Sequence, residues 1–137
     1  MRMISCRVIV LTLLTLLIFT SCSESETYTP MNMFQMAYDF DKSIEEVRVK
    51  DKSESIRCNS YPKGCIPLSP KRFKIRMVEM IVVQYHSKKG ACQAAKKLDQ
   101  YYIRNWLLDD VKGEPVLEDF VKTVYKAENP SLEYECD

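Results

Sequence analysis

Glu79 is the side chain most out of place in this sequence. It stands among Phe73, Ile75, Met77, Ile81, Val83 and Tyr85, which alternate along residues 72–86 and so share one face of an extended strand. A carboxylate buried there needs a partner or must hold its proton, which makes Glu79 a candidate site residue, for a hydrolase. Its ordinary reading is an acid paired with Lys or Arg, or placed at a sheet margin. The other acids do not assemble around it. Asp109 and Asp110 are adjacent, so in a strand they point to opposite faces and cannot act as a pair by themselves, and no spacing brings either of them, or Glu114, to Glu79.

Metal and nucleophile chemistry find little support in the same residues. The single histidine, His86, has no second imidazole to work with and reads as a surface or capping residue. The cysteines lack a C-x-x-C pair, which argues against a zinc set. No G-x-S-x-G, glycine-rich phosphate loop or H-E-x-x-H occurs in the chain. No cofactor is expected. Lys88, Lys89, Lys96 and Lys97 line one side of a helical stretch and read as a solvated face rather than an anion site.

The cysteines take their meaning from the start of the chain. Arg2 and Arg7 lead into residues 8–19, an uncharged run of signal-peptide length and too short for the roughly 20 apolar residues that a spanning helix needs. Residues 1–21 are therefore read as a leader and set apart from the fold. The segment Phe19-Thr20-Ser21-Cys22 resembles the lipobox of bacterial lipoproteins. That resemblance implies cleavage before Cys22 and several acyl chains, such as palmitate, carried by the new N-terminal cysteine. It also implies anchorage to the bilayer, at about 0.8 kcal/mol per buried CH₂. Ser23, rather than Asp, after the cysteine is similar to the outer-membrane sorting pattern, so the expected place is the outer membrane, facing the periplasm. An ordinary secretory signal that leaves Cys22 a plain thiol, or an uncleaved anchor, is the alternative.

Removing the leader leaves 116 residues, enough for one small domain, here residues 30–137 on a tether of residues 22–29. The leader holds two basic and no acidic residues, so the remainder carries 18 basic against 19 acidic and makes no electrostatic case for nucleic acid. With Cys6 in the leader and Cys22 acylated, Cys58, Cys65, Cys92 and Cys136 remain, an even number that reads as two disulfides in an exported domain. Pairing Cys58 with Cys65 across a loop containing Pro62 and Gly64, and Cys92 with Cys136 to hold the tail, is favoured. The crossed pairings stay open. The chain-entropy model gives about 2.5 kcal/mol for the short loop and about 4 kcal/mol for the long one.

The elements follow from caps and periodicity. Thr29-Pro30 starts a Met-rich helix running to about Asp41, with Met33, Phe34, Ala37 and Phe40 at helical spacing. Val47 and Val49 mark a strand, residues 51–70 an irregular stapled loop, and residues 72–86 a long central strand. Ser87 caps a helix carrying Ala91, Ala94, Ala95, Leu98, Tyr101 and Tyr102, ended by Asn105. A short strand over residues 106–111 and a helix entered through Pro115 complete the order. The expected fold class is α+β, a mixed sheet of about three strands packed by two or three helices, with a parallel crossover through the middle helix. The expected function is that of a non-enzymatic envelope lipoprotein, binding an envelope protein or cell-wall partner through the Cys58 to Cys65 loop and the Met-rich segment. A periplasmic small-ligand binder or an inhibitor of an exported enzyme, with a pocket between the sheet and the N-terminal helix, is the alternative, and a hydrolase using Glu79 a weaker one.

Overall fold

A computed structural model describes residues 27–137, and the leader with Cys22 lies outside the described residues. Helix α1 (Pro30–Phe40) begins where its caps dictate. The Thr29 hydroxyl accepts from the Asn32 amide, the Asn32 side chain returns to the Thr29 amide, and Pro30 presets the first turn. The helix buries Met33 and Ala37 and ends at Asp41, whose carboxylate accepts from the Ser43 amide.

Strand β1 (Glu45–Val47) pairs antiparallel with β2 (Lys71–Ile75), but the long strand does not exist as one element. It folds back at Arg76-Met77 into β2 and β3 (Val78–Gln84), closed by the pair Ile75 and Val78. Arg76 supplies the positive φ, 58°, that a two-residue hairpin turn needs, although it is not a glycine. Fifteen residues would have made an unusually long strand. Two short ones satisfy the same alternation with a different grouping of faces. Phe73 and Ile75 now stand with Val78, Met80 and Val82, whereas Arg72 and Lys74 stand with Glu79, Ile81 and Val83.

Helix α2 (Lys88–Leu98) follows the Ser87 cap and stops earlier than the spacing suggests, at Asp99 with φ 55°. Tyr101 and Tyr102, expected on the helix, belong instead to β4 (Tyr101–Ile103), which turns at Arg104-Asn105 into β5 (Trp106–Asp109). The result is an open five-stranded sheet in the order β1-β2-β3-β5-β4, antiparallel throughout. The class is α+β as expected. The three-stranded mixed sheet and its parallel crossover are corrected, because α2 leads to an outer strand and the hairpin returns β5 antiparallel beside β3.

Helix α3 (Pro115–Phe120) widens into a π-type turn over Val121–Tyr125. Together with α1 it covers one sheet face, where Met33, Phe73, Ile75, Met80, Val82, Trp106 and Phe120 form the larger core. The Tyr125 hydroxyl donates 2.8 Å to the Met33 carbonyl and joins the two helical segments. On the other face α2 packs Ala91, Ala94 and Ala95 against Ile81, Val83, Tyr102 and Leu107. Small side chains let that helix approach closely. At Gly90 a Cβ would lie 3.3 Å from the Tyr85 ring. Both favoured disulfides are present, Cys58–Cys65 and Cys92–Cys136, with Cα separations of 5.5 and 5.8 Å. The second fixes the tail, whose Tyr134 carbonyl accepts from Lys96 Nζ at 2.8 Å.

Candidate functional site

The stapled loop is ordered by what it touches. Ile66 donates its amide to the Gln84 carbonyl at 2.8 Å, Cys65 bridges to Tyr85, and the Ser69 hydroxyl both donates to the Gln84 carbonyl and accepts from its amide. The Tyr85 hydroxyl donates to the Pro62 carbonyl at 3.1 Å, and Tyr61 donates to Asp109 Oδ2 at 2.9 Å. These bonds dock the loop beside the exposed end of the second sheet face. Burial, then the Asp109 charge, pushes the Tyr85 phenol up to about 12, and the same two causes push Tyr61 up further.

Between this loop and β1 lies an open groove of about 930 Å³. Val47, Val49, Ile56 and Leu68 line it together with the cations Arg48, Lys52, Arg57, Lys71 and Arg72. Glu46 is the one acid in the lining, and it is spent on Lys71 at 3.0 Å. Arg72 reaches Glu79 at 3.8 Å. Arg48, Lys52 and Arg57 have no carboxylate partner among the described residues. Beside the groove, sharing Glu46, Leu68 and Lys71 with it, opens a cleft of about 120 Å³ lined by Phe34, Phe73, Val82 and Trp106. This is the expected position between the sheet and the N-terminal helix. It is smaller than the roughly 300 Å³ at which small-molecule sites begin, and its size suits one aliphatic side chain.

Leu68 stands where groove and cleft meet. The turn Ile66-Pro67-Leu68-Ser69 closes with the Ser69 amide donating 3.1 Å to the Ile66 carbonyl. Proline at its second position and a positive φ at its third are the type II pattern, which favours glycine or asparagine where Leu68 sits with φ 65°. The side chain held in this strained conformation is 91% exposed. Burial does not explain a leucine there.

The carboxylates read from the sequence are placed differently from expectation. Glu79 is not buried. The hairpin puts it opposite Lys74 and within reach of Arg72, on the solvent-facing end of the sheet, and the hydrolase reading loses the burial on which it rested. Asp109 does share its sheet face, being opposite Ile81, but it is occupied by the Tyr61 hydroxyl and the Asp110 amide. Glu114 caps α3. Exposed His86 donates its amide to the Gly64 carbonyl. Among the described residues no group of three or more His, Cys, Asp or Glu could hold a metal ion, and no helix is long and apolar enough to cross a membrane. In the Met-rich helix, Met33 is buried in the larger core and Met36 packs against it, whereas Met31 is 71% exposed.

Sequence reasoning missed the groove, and a signal for it was present. Residues 48–74 hold Arg48, Lys50, Lys52, Arg57, Lys63, Lys71, Arg72 and Lys74 against only Asp51 and Glu54, an excess hidden by the near-neutral total. The chain matches no family model, no curated protein and no solved structure.

Proposed function

We propose that this protein is an exported lipoprotein, held to the outer membrane through acylated Cys22, whose domain binds an envelope partner without catalysing a reaction. The anchor rests on the lipobox-like Phe19-Thr20-Ser21-Cys22 at the end of an apolar leader. The binding role rests on one observation above all, the groove between β1 and the Cys58–Cys65 loop, lined by apolar residues and by three cations with no carboxylate partner among the described residues. Two further features favour recognition over chemistry. The loop is held rigid by a disulfide and by hydrogen bonds to β3, so a partner meets a preformed surface. Its exposed apolar residue, Leu68, is presented at the cost of backbone strain.

Intact mass of the protein purified from membranes tests the anchor. A start at residue 22 with the added mass of acyl chains is expected; an unmodified thiol at Cys22, or a start elsewhere, removes the lipoprotein reading. A photo-crosslinking residue placed at Arg57 in living cells tests the surface. It should capture one predominant partner that the same residue at exposed Thr123, remote in sequence, does not.

A further inference from the structure

The groove lies at the end of the sheet from which the tether leaves, and that position specifies its partner. This step rests on the anchored, partner-binding reading above and deepens it. We infer that this end of the domain docks on an anionic phospholipid surface, the bilayer that holds Cys22, with Arg48, Lys52 and Arg57 on lipid phosphates and Leu68 set among the headgroups.

Four observations converge on that occupant. The first is where the tether joins the domain. Tyr28 donates its amide to Asn105 Oδ1 at 2.8 Å, and its carbonyl accepts from Trp106 Nε1 at 2.8 Å and Gln84 Nε2 at 3.4 Å, which pins it where β3 ends and β5 begins. The second is that Gln84 also holds the Leu68 turn, through the Ile66 amide and both bonds of the Ser69 hydroxyl, and that Pro30 and Leu68 line the same small cleft. Tether exit and groove therefore share one end of the sheet. The third is reach. Cys22 precedes Tyr28 by six residues, a span of at most about 20 Å, against roughly 35 Å for the width of a domain of this size. An acylated Cys22 keeps that end towards the bilayer and the opposite end away from it.

The fourth is charge. At the opposite end Arg76 meets Asp41 and Lys112 meets Asp99, whereas Arg48, Lys52 and Arg57 have no carboxylate partner among the described residues. Lys88 and Lys89, both exposed, add positive charge at the tether end, where α2 starts just beyond β3. The acids of the groove and its loop are Asp51, whose carboxylate accepts from the Ser53 amide, Glu54, and Glu46 on Lys71. A basic residue beside a lipid anchor strengthens attachment to an anionic leaflet by roughly fivefold and supplies the second signal that stable anchoring uses. An acidic protein would also meet these cations, but the bilayer is the anionic surface that the tether itself brings to them. A headgroup layer also takes a leucine that is 91% exposed without needing a matching pocket.

The test uses the protein purified from membranes and mixed with vesicles of phosphatidylcholine, with or without phosphatidylglycerol. Flotation reports attachment, and hydrogen exchange reports which amides lie on the surface. Expected is flotation with both vesicles, and exchange slowed about fivefold or more at residues 48–57 and 66–69 only where phosphatidylglycerol is present. Raised salt should weaken that protection. The triple variant Arg48→Glu, Lys52→Glu, Arg57→Glu should return exchange to the rate seen with phosphatidylcholine alone. Leu68→Asn serves as the second variant, since asparagine keeps the turn, and it should lose part of the protection without lowering the melting temperature. Equal exchange with and without phosphatidylglycerol would overturn the inference. So would protection that survives both the triple variant and raised salt, or protection centred on residues 110–126. Anchor and docking fail separately. Flotation with both vesicles and no effect of phosphatidylglycerol keeps the anchor and rejects the docking. Flotation with phosphatidylglycerol alone keeps the docking and rejects the anchor, and flotation with neither rejects both. A protein captured at Arg57 in cells, with exchange indifferent to phosphatidylglycerol, would give this surface to that protein and end the lipid reading.

Discussion

Replacing Leu68 should make the domain more stable, the reverse of what removing a leucine usually does. The left-handed conformation costs an ordinary side chain about 1–2 kcal/mol, and glycine adopts it freely. Glycine returns about 0.5–1 kcal/mol of that gain through its greater freedom in the unfolded chain. Since Leu68 is 91% exposed, its loss takes almost no apolar contact with it. Leu68→Gly should therefore raise stability by about 0.5–1 kcal/mol, and Leu68→Asn by a similar or smaller amount. For a domain of this size such a change lifts the melting temperature by a few degrees. Urea titration with the disulfides intact, at one pH and with equal m-values, measures it. A destabilisation of 1 kcal/mol or more in both variants would show that Leu68 is held by contacts rather than strained against the turn. The argument that its side chain is kept for a partner would then fail.

Three other perturbations test the frame around the groove. Replacing both Cys92 and Cys136 by Ala should cost about 4 kcal/mol and free the tail to exchange. The same change at Cys58 and Cys65 should cost about 2.5 kcal/mol and leave the tail protected, and the opposite ranking would contradict the loop-entropy account. Asn105, 3% exposed, accepts from the Tyr28 amide at 2.8 Å and donates to the Tyr85 carbonyl at 3.2 Å. Asn105→Ala should cost about 1–3 kcal/mol in chemical denaturation, and a neutral result would mean that water replaces the amide. The phenols of Tyr61, Tyr85, Tyr102 and Tyr125 are all pushed up, chiefly by burial, Tyr85 to about 12. Each holds its proton more tightly folded than unfolded, so its stabilisation is complete below the ordinary value near 10 and is lost as pH rises towards the folded values. Stability should fall between about pH 10 and 12, with tyrosinate absorbance appearing late. A stability that stays flat through that range while every phenol titrates near 10 would refute the burial assigned to them.

What could be read in advance was what local chemistry decides. Thr29-Pro30, Ser87 and Pro115 each carry their own start signal, and the structure begins a helix at each. Cysteine number and loop length were enough to favour the two disulfides. The sheet was misread at two turns that have no glycine or proline. Arg76-Met77 and Arg104-Asn105 each reverse the chain with an arginine at positive φ, so the first passed for continued alternation and the second for the end of a helix. One unseen hairpin was enough to put Glu79 on the wrong face. Once Ile75 pairs with Val78, the acid falls in register with Lys74 and beside Arg72, and the anomaly that suggested catalysis becomes an ordinary charged row.

The groove was harder to see because each of its parts has an innocent local meaning. A basic residue is unremarkable on a surface, Pro67 marks a turn, and a short valine-bearing strand is half exposed by nature. Only the pairing of β1 with β2 and the docking of the loop onto β3 bring Arg48, Arg57 and Leu68 to one opening. By closing eight residues, Cys58 through Cys65, just before Pro67-Leu68, the disulfide restricts the loop that leads into the strained turn. Opening that bridge should then release the turn, and in the Cys58→Ala, Cys65→Ala background Leu68→Gly should gain less stability than it does with the bridge closed. A double-mutant cycle reads that coupling directly, and full additivity would mean that the loop bonds to Gln84 and Tyr85, not the disulfide, hold Leu68 in place.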